Sequence, residues 1–126
     1  MMAETVRVIA GAALSDGHAT PGMDRRLALD TGSMWSGLVH TEPGAETGWH
    51  HHDGFETTLY VVSGVMRMQY GPGGEQSADA GPGDFVNVPP GVVHREVNPT
   101  ADRSTAVVVR AGSGTHVVNV EGPDPG

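Results

Sequence analysis

The sequence predicts an all-β domain that closes into a sandwich or barrel. Two observations carry that expectation. No window keeps apolar residues at i, i+3, i+4 and i+7 for three helical turns, and short runs rich in β-branched residues are repeatedly bounded by Gly, Pro, Asn or Asp. The 126 residues include 19 Gly and 9 Pro, a density that suits frequent tight turns yet falls short of a low-complexity chain. Closure follows because many short strands at even spacing would otherwise leave unpaired, aggregation-prone edges. A chain of this length has room for one core, so residues 1–126 read as one domain with its barrel over roughly 34–120.

The elements follow in order. Thr5–Ala10 reads as a strand on Val6, Val8 and Ile9. Residues 11–33 are polar and Gly-rich, carry Asp24-Arg25-Arg26, and are expected to form a long loop over one mouth. Further strands are expected at Met34–Thr41, Gly48–His52, Thr57–Val62, Val65–Tyr70, Phe85–Val88, His94–Val97, Thr105–Arg110 and His116–Val120. Turn chemistry separates them: Pro43-Gly44, Ser63-Gly64, Gly71-Pro72-Gly73-Gly74, Gly81-Pro82-Gly83-Asp84, Pro89-Pro90-Gly91 and Asn98-Pro99. Glu121–Gly126 holds only acid, Gly and Pro and is expected to be a mobile tail.

Charge removes several functions. Seven basic residues, all Arg, stand against 15 acidic ones for a net charge of −8, the wrong footprint for nucleic acid or an anionic membrane surface. There is no Cys and no Lys, which excludes disulfides, thiolate metal sites, a cysteine nucleophile, Schiff-base chemistry and a phosphate-loop lysine. The N-terminal stretch has an acid before its first Arg, and its apolar run Ala10–Leu14 is interrupted by Gly11. It resembles neither a signal peptide nor a membrane span, so the expected location is the cytoplasm.

Three of the seven histidines are consecutive, His50, His51 and His52. On a strand, alternate side chains share a face, so His50 and His52 point together and His51 points away. Neutral imidazoles projecting into an apolar interior are good ligands for a first-row metal because they carry no charge inward.

Gly44, then five residues, His50, one, His52, three, Glu56 and later Gly64 resembles the first motif of the cupin superfamily. Gly83, five residues, Pro89, one, Gly91, two, His94, three and Asn98 is similar to the second cupin motif throughout. The resemblance implies a double-stranded β-helix, a cupin-type jelly-roll barrel. It also implies one divalent metal, Fe(II) or Zn, with Mn or Ni as further options, on His50, His52, His94 and an acid of the first motif. Counted forward from His52, that acid is Glu56. Counted back from the cupin-like stretch Tyr60-Val61-Val62-Ser63-Gly64, the position is Thr57, and a one-residue slip would turn Glu56 outward unless a bulge near Asp53-Gly54 restores it.

Met66, Met68 and Tyr70 share a face of their strand and read as core first and pocket wall second. Trp35, Met66, Met68 and Phe85 are the candidate pocket residues, while Tyr60 is expected on the outer sheet. His40, Glu56 and Tyr70 are the candidate catalytic groups. Asn98, Pro89 and Gly91 are read as turn-shaping. The function expected is a metal-dependent enzyme acting on a small-molecule substrate, with Fe(II)/O2 oxidation or dioxygenation first. A zinc-type isomerase, cyclase or lyase and a non-catalytic binding cupin are the alternatives. The resemblance also implies a homodimer, and the Val-rich Val107–Val109 and Val117–Val120 read as strands in want of a partner.

Overall fold

The computed structural model describes residues 5–18 and 20–125. Its strands are β1 (Ser15–Asp16), β2 (Met23–Asp30), β3 (Met34–Thr41), β4 (His50–His51), β5 (Phe55–Ser63) and β6 (Met66–Tyr70). They continue with β7 (Gln76–Ala80), β8 (Phe85–Val88), β9 (His94–Val97), β10 (Ser104–Gly112) and β11 (Val118–Asn119). One sheet has the order β1-β2-β3-β10-β5-β8 and the other β11-β4-β9-β6-β7, with antiparallel pairing between neighbours. The all-β expectation holds, and the two sheets enclose one core.

Alternation does the sorting. In β3 the residues Trp35, Gly37, Val39 and Thr41 are buried and their neighbours are not. In β10 Ser104, Ala106, Val108 and Arg110 are buried in the same way. Trp35, Val39, Leu59, Met66 and Val108 form the centre of the apolar core. Burying side chains of this size stabilises by roughly 1.5–3 kcal/mol each.

Three expectations are corrected. Thr5–Ala10 forms no strand, and Val6 and Val8 are more than nine-tenths exposed. β-branched residues do not make a strand without a sheet edge to pair with. The loop expected over 11–33 contains β2, which pairs with β3 from Met23↔Thr41 to Asp30↔Trp35. Its sequence, MDRRLALD, hides the strand because one of its inward residues is Arg25. The polar β7 was also unexpected. It is an edge strand with only Ala80 buried, held to β6 by the ladder and by Arg67 Nε to Asp79 Oδ1 at 2.8 Å.

Val107–Val109 has partners on both sides, β3 and β5. The tail is tied where Gly73 N donates to Asp124 O at 2.9 Å. Gly37 has a packing reason: a Cβ there would lie 2.0 Å from Arg26 O. Only glycine lets β2 approach this closely beside its irregular register between Leu27 and Leu29.

Asn98 is fully buried, and its role as a turn residue holds. Its Nδ2 donates to Thr41 O (3.1 Å) and Asp102 O (2.7 Å), and its Oδ1 accepts from Thr100 N (3.0 Å) and Thr100 Oγ1 (2.8 Å). Asn98→Ala orphans two carbonyls and is expected to lower the unfolding free energy by about 2–4 kcal/mol. Urea denaturation checks this, and a loss below about 0.5 kcal/mol, the level of an ordinary surface change, would sink the assignment.

Candidate metal centre

His50 lies on β4 and His94 opens β9, and the two are direct partners in the β4–β9 ladder. His52 follows β4 by one residue. A tight turn comes next, in which Phe55 N donates to His52 O at 2.9 Å and Asp53 adopts φ 53°. All three rings are at most 4% exposed, with candidate ligand atoms within 4.8 Å of one another. Ring centroids are 4.4 to 5.2 Å apart. His51 faces outward, and its Nδ1 accepts from Asp53 N at 3.0 Å.

Hydrogen bonds set the tautomer of each ring. A carbonyl only accepts, so the Nδ1–H of His50 donates to Gly48 O (2.9 Å), that of His52 to His116 O (2.8 Å) and that of His94 to Val92 O (2.8 Å). This leaves three Nε2 lone pairs for a cation, oriented by the outer bonds that metal-binding imidazoles use. His94 Nε2 is buried without a hydrogen-bond partner, as expected of an atom reserved for a metal. The donor set fits a divalent ion.

The environment keeps two of the rings neutral. Burial, opposed by Glu96, pushes His50 down to about 4. Burial, helped by Arg110, pushes His52 down to about 2. For His94 burial is the largest influence and acts downward too, but the Glu96 charge, the Glu96 hydrogen bond and the Val92 carbonyl together raise the group above its ordinary value. Burial would raise Glu96, yet His50 and His94 hold its carboxyl well below the usual carboxylate range.

Glu96 was missed in the sequence. It is 3% exposed, with Oε2 3.4 Å from His50 Nε2 and Oε1 3.4 Å from His94 Nε2. Thr47 steadies it: Thr47 Oγ1 donates to Oε2 at 3.3 Å and accepts from Glu96 N at 2.9 Å. Strand parity was the available signal, since His94 and Glu96 are two apart on β9. The same parity corrects Glu56. It is exposed on the outer face of β5, accepting from Asn87 Nδ2 at 3.1 Å, while Thr57 points inward. The turn at Asp53-Gly54 inserts no bulge that would bring Glu56 back.

A cavity of about 470 Å³ reaches the site at His94, walled by Met68, Tyr70, Val86, Val88 and Val92. Tyr70 stands opposite His94 in the β6–β9 register. Met68 therefore serves core and cavity together. Trp35 and Met66 belong to the core rather than the cavity wall. Phe85 sits at the rim, 71% exposed, with its ring 4.9 Å from the outer-face Tyr60. His40 is on the outer face of β3, where its Nδ1 lies 3.0 Å from Thr105 Oγ1. The inward positions of that strand are the odd-numbered ones, so His40 does not reach the three Nε2 atoms.

A smaller inner chamber of about 10 Å³ is lined by Arg25, His52, Thr57, Glu96 and Arg110. Arg25 Nη2 lies 3.4 Å from His50 Nε2. The Arg110 guanidinium lies 4.4 Å over the Trp35 ring, and burial, then the Arg25 charge, pushes it down to about 9. It is still charged at neutral pH. Neither arginine was given a role in the sequence: Arg25 fell in the stretch expected to be a loop, and Arg110 closed an expected strand whose inward face was not read.

A barrel of two antiparallel sheets carrying three inward imidazoles defines a β-barrel protein with a candidate metal centre. The cupin domain profile matches residues 37–120, most of the chain, and the protein belongs to that family. Among solved structures it is similar to an uncharacterized conserved protein with a double-stranded β-helix domain from Klebsiella pneumoniae. That match has 23% identity and TM-score 0.73, covering 93% of this chain and 99% of that one. It is similar to the polyketide cyclase RemF from Streptomyces resistomycificus at 20% identity and TM-score 0.75, with 92% and 86% covered. It also resembles the oxalate decarboxylase OxdC of Bacillus subtilis at 24% identity and TM-score 0.68, covering 79% of this chain and 28% of that one. These likenesses establish the double-stranded β-helix. No curated protein matches the sequence.

The metal-free protein should lose stability as pH falls from 6.5 toward about 4, on the order of 3 kcal/mol from His50. The sign follows from a folded-state pKa below the unfolded one: the contribution is present above 6.5 and lost as protons bind the unfolded chain preferentially. His52 acts in the same direction, and the raised His94 group keeps its contribution throughout this window. Urea midpoints of chelator-treated protein at stepped pH measure the effect, and a flat profile would contradict the buried, neutral rings.

Proposed function

We propose that this protein is a divalent-metal enzyme acting on a small molecule in the barrel mouth, with Fe(II) and oxygen-dependent oxidation or cleavage as its chemistry. The observation that supports it is the trio of Nε2 atoms freed by Nδ1–H to carbonyl bonds, beside one carboxylate, Glu96. Three imidazoles and a carboxylate suit Fe(II), Mn(II) or Ni(II). Three imidazole ligands would leave one position of a tetrahedral zinc and three of a six-coordinate ion for reactants. A bound ion supplies electron transfer with oxygen or, if redox-inert, polarisation of a substrate carbonyl.

The chain's own residues divide the remaining work. His50, His52 and His94 would hold the ion, and Glu96 would lower the net charge of the site. Met68, Val86, Val88 and Val92 exclude water from a substrate in the cavity. Tyr70, opposite His94, offers its hydroxyl to orient that substrate or carry a proton. Pairing of two copies belongs to the same reading, supported by the exposed apolar side chains Tyr60, Val62, Phe85 and Val109.

Elemental analysis of protein purified without a tag or chelator tests the assignment, with His94→Ala alongside. Near-stoichiometric iron that is lost in the variant, together with substrate-dependent oxygen uptake, is the expected result. Zinc retained under iron-loading conditions would move the chemistry to a Lewis-acid isomerase, cyclase or lyase. Two metal-free proteins under loading conditions would overturn the ligand set and leave a binding module. Glu96→Gln is expected to weaken metal binding roughly 10- to 100-fold, measured by competition with a chelating dye, and an unchanged affinity would remove Glu96 from the site.

A further inference from the structure

The inner chamber holds more positive charge than it can satisfy. Arg110 is fully buried, and its Nε and Nη1 have no hydrogen-bond partner among the described residues. Its guanidinium plane is held by Trp35, 4.4 Å away. Arg25 is 4% exposed, and its Nη1 donates to Thr20 Oγ1 (2.5 Å) and His18 O (2.9 Å). Its Nη2 rests 3.4 Å from His50 Nε2, the atom a metal would need. Thr57 Oγ1 is a third buried, unpartnered polar atom on the chamber wall. Two guanidinium ions thus face one carboxylate, Glu96. Unpaired buried charge is strongly unfavourable, and a divalent ion on the three histidines would enlarge the imbalance.

We infer that this chamber is a carboxylate subsite in which Arg110, Thr57 and Arg25 bind the acidic head group of a small organic acid beside the metal. The inference rests on the metal-enzyme reading and narrows its substrates to acids. Guanidinium N–H groups donate charge-assisted hydrogen bonds to a carboxylate oxygen. The chamber's 10 Å³ is room for about one water-sized group. It therefore admits an oxygen of the head group and excludes the body of the molecule. When a metal takes His50 Nε2, Arg25 Nη2 loses that neighbour and becomes a donor for the anion. Metal and carboxylate should therefore strengthen each other's binding, reciprocally.

Calorimetry and tryptophan emission can follow pyruvate, malonate and benzoate, their neutral amides, and inorganic phosphate, each titrated into Mn(II)-loaded and metal-free protein. Trp35 lies under Arg110 and should report occupancy directly. At least one acid is expected to bind the loaded protein, at least tenfold more tightly than its amide and more tightly than the metal-free form. Arg110→Met should weaken that acid about 10- to 100-fold with Mn(II) stoichiometry unchanged. Thr57→Val conserves volume and should weaken it about 3- to 10-fold, keeping the test valid if Arg110→Met fails to fold. Amides binding as well as acids, phosphate binding more tightly than every acid, or acid affinity indifferent to both variants would each overturn the inference. Arg110-dependent acid binding in a protein that takes no metal would uphold the subsite while removing the metal-enzyme reading.

Discussion

The three hydrogen bonds from imidazole Nδ1–H to backbone carbonyls are the contacts around which the rest of the site is arranged. Each joins a ring to a turn or to a distant segment: His50 to the approach to β4, His94 to the turn before β9, and His52 to His116 near the C-terminal end. The bond at His116 has further reach. The His116 ring stacks on Phe55 at 4.4 Å and on His18 at 4.8 Å, so the histidine cluster is linked to both terminal segments. Fixing a tautomer at one end of a ring thereby aligns the lone pair at the other end with two neighbours. A free imidazole in solution lacks this orientation.

The interior is unusual for a small domain because it buries charge as well as apolar surface. Arg25, Arg110 and Glu96 are all at most 4% exposed, alongside three imidazoles. Replacing such groups with apolar residues of similar volume is often neutral or stabilising. Their presence marks the position where folding preference yields to chemistry, and the apolar core is confined to the neighbouring layer around Trp35, Leu59 and Met66. Trp35 belongs to both regions, as it packs in the core on one side and carries the Arg110 guanidinium on the other.

How much was legible in the sequence depends on which residues carried the pattern. His50, His52 and His94 could be located because their motifs have turn residues at fixed offsets. The Val-rich strands expected at Thr57–Val62 and Thr105–Arg110 were found, as β5 and β10. β2 and β7 were not, for different reasons. β2 turns an arginine inward, which defeats a rule that equates inward with apolar. β7 is an edge strand whose exposed positions need no apolar residue at all. Glu56 looked like a ligand because spacing was counted through a turn, where the period of two does not apply. Glu96 could have been found by carrying the same period forward from His94 along an uninterrupted strand.

His50 and His94 are register partners in one ladder, and His52 is anchored to the C-terminal segment. An ion shared by these rings would join stretches of chain that are far apart in sequence, in a protein with no cysteine to make such a join. It would act as a removable cross-link that stabilises by binding the folded chain and not the unfolded one, answering to metal supply where a disulfide answers to redox potential. The barrel's rigidity would then follow the occupancy of one site. In a cell short of the ion, the protein would lose part of its resistance to proteolysis.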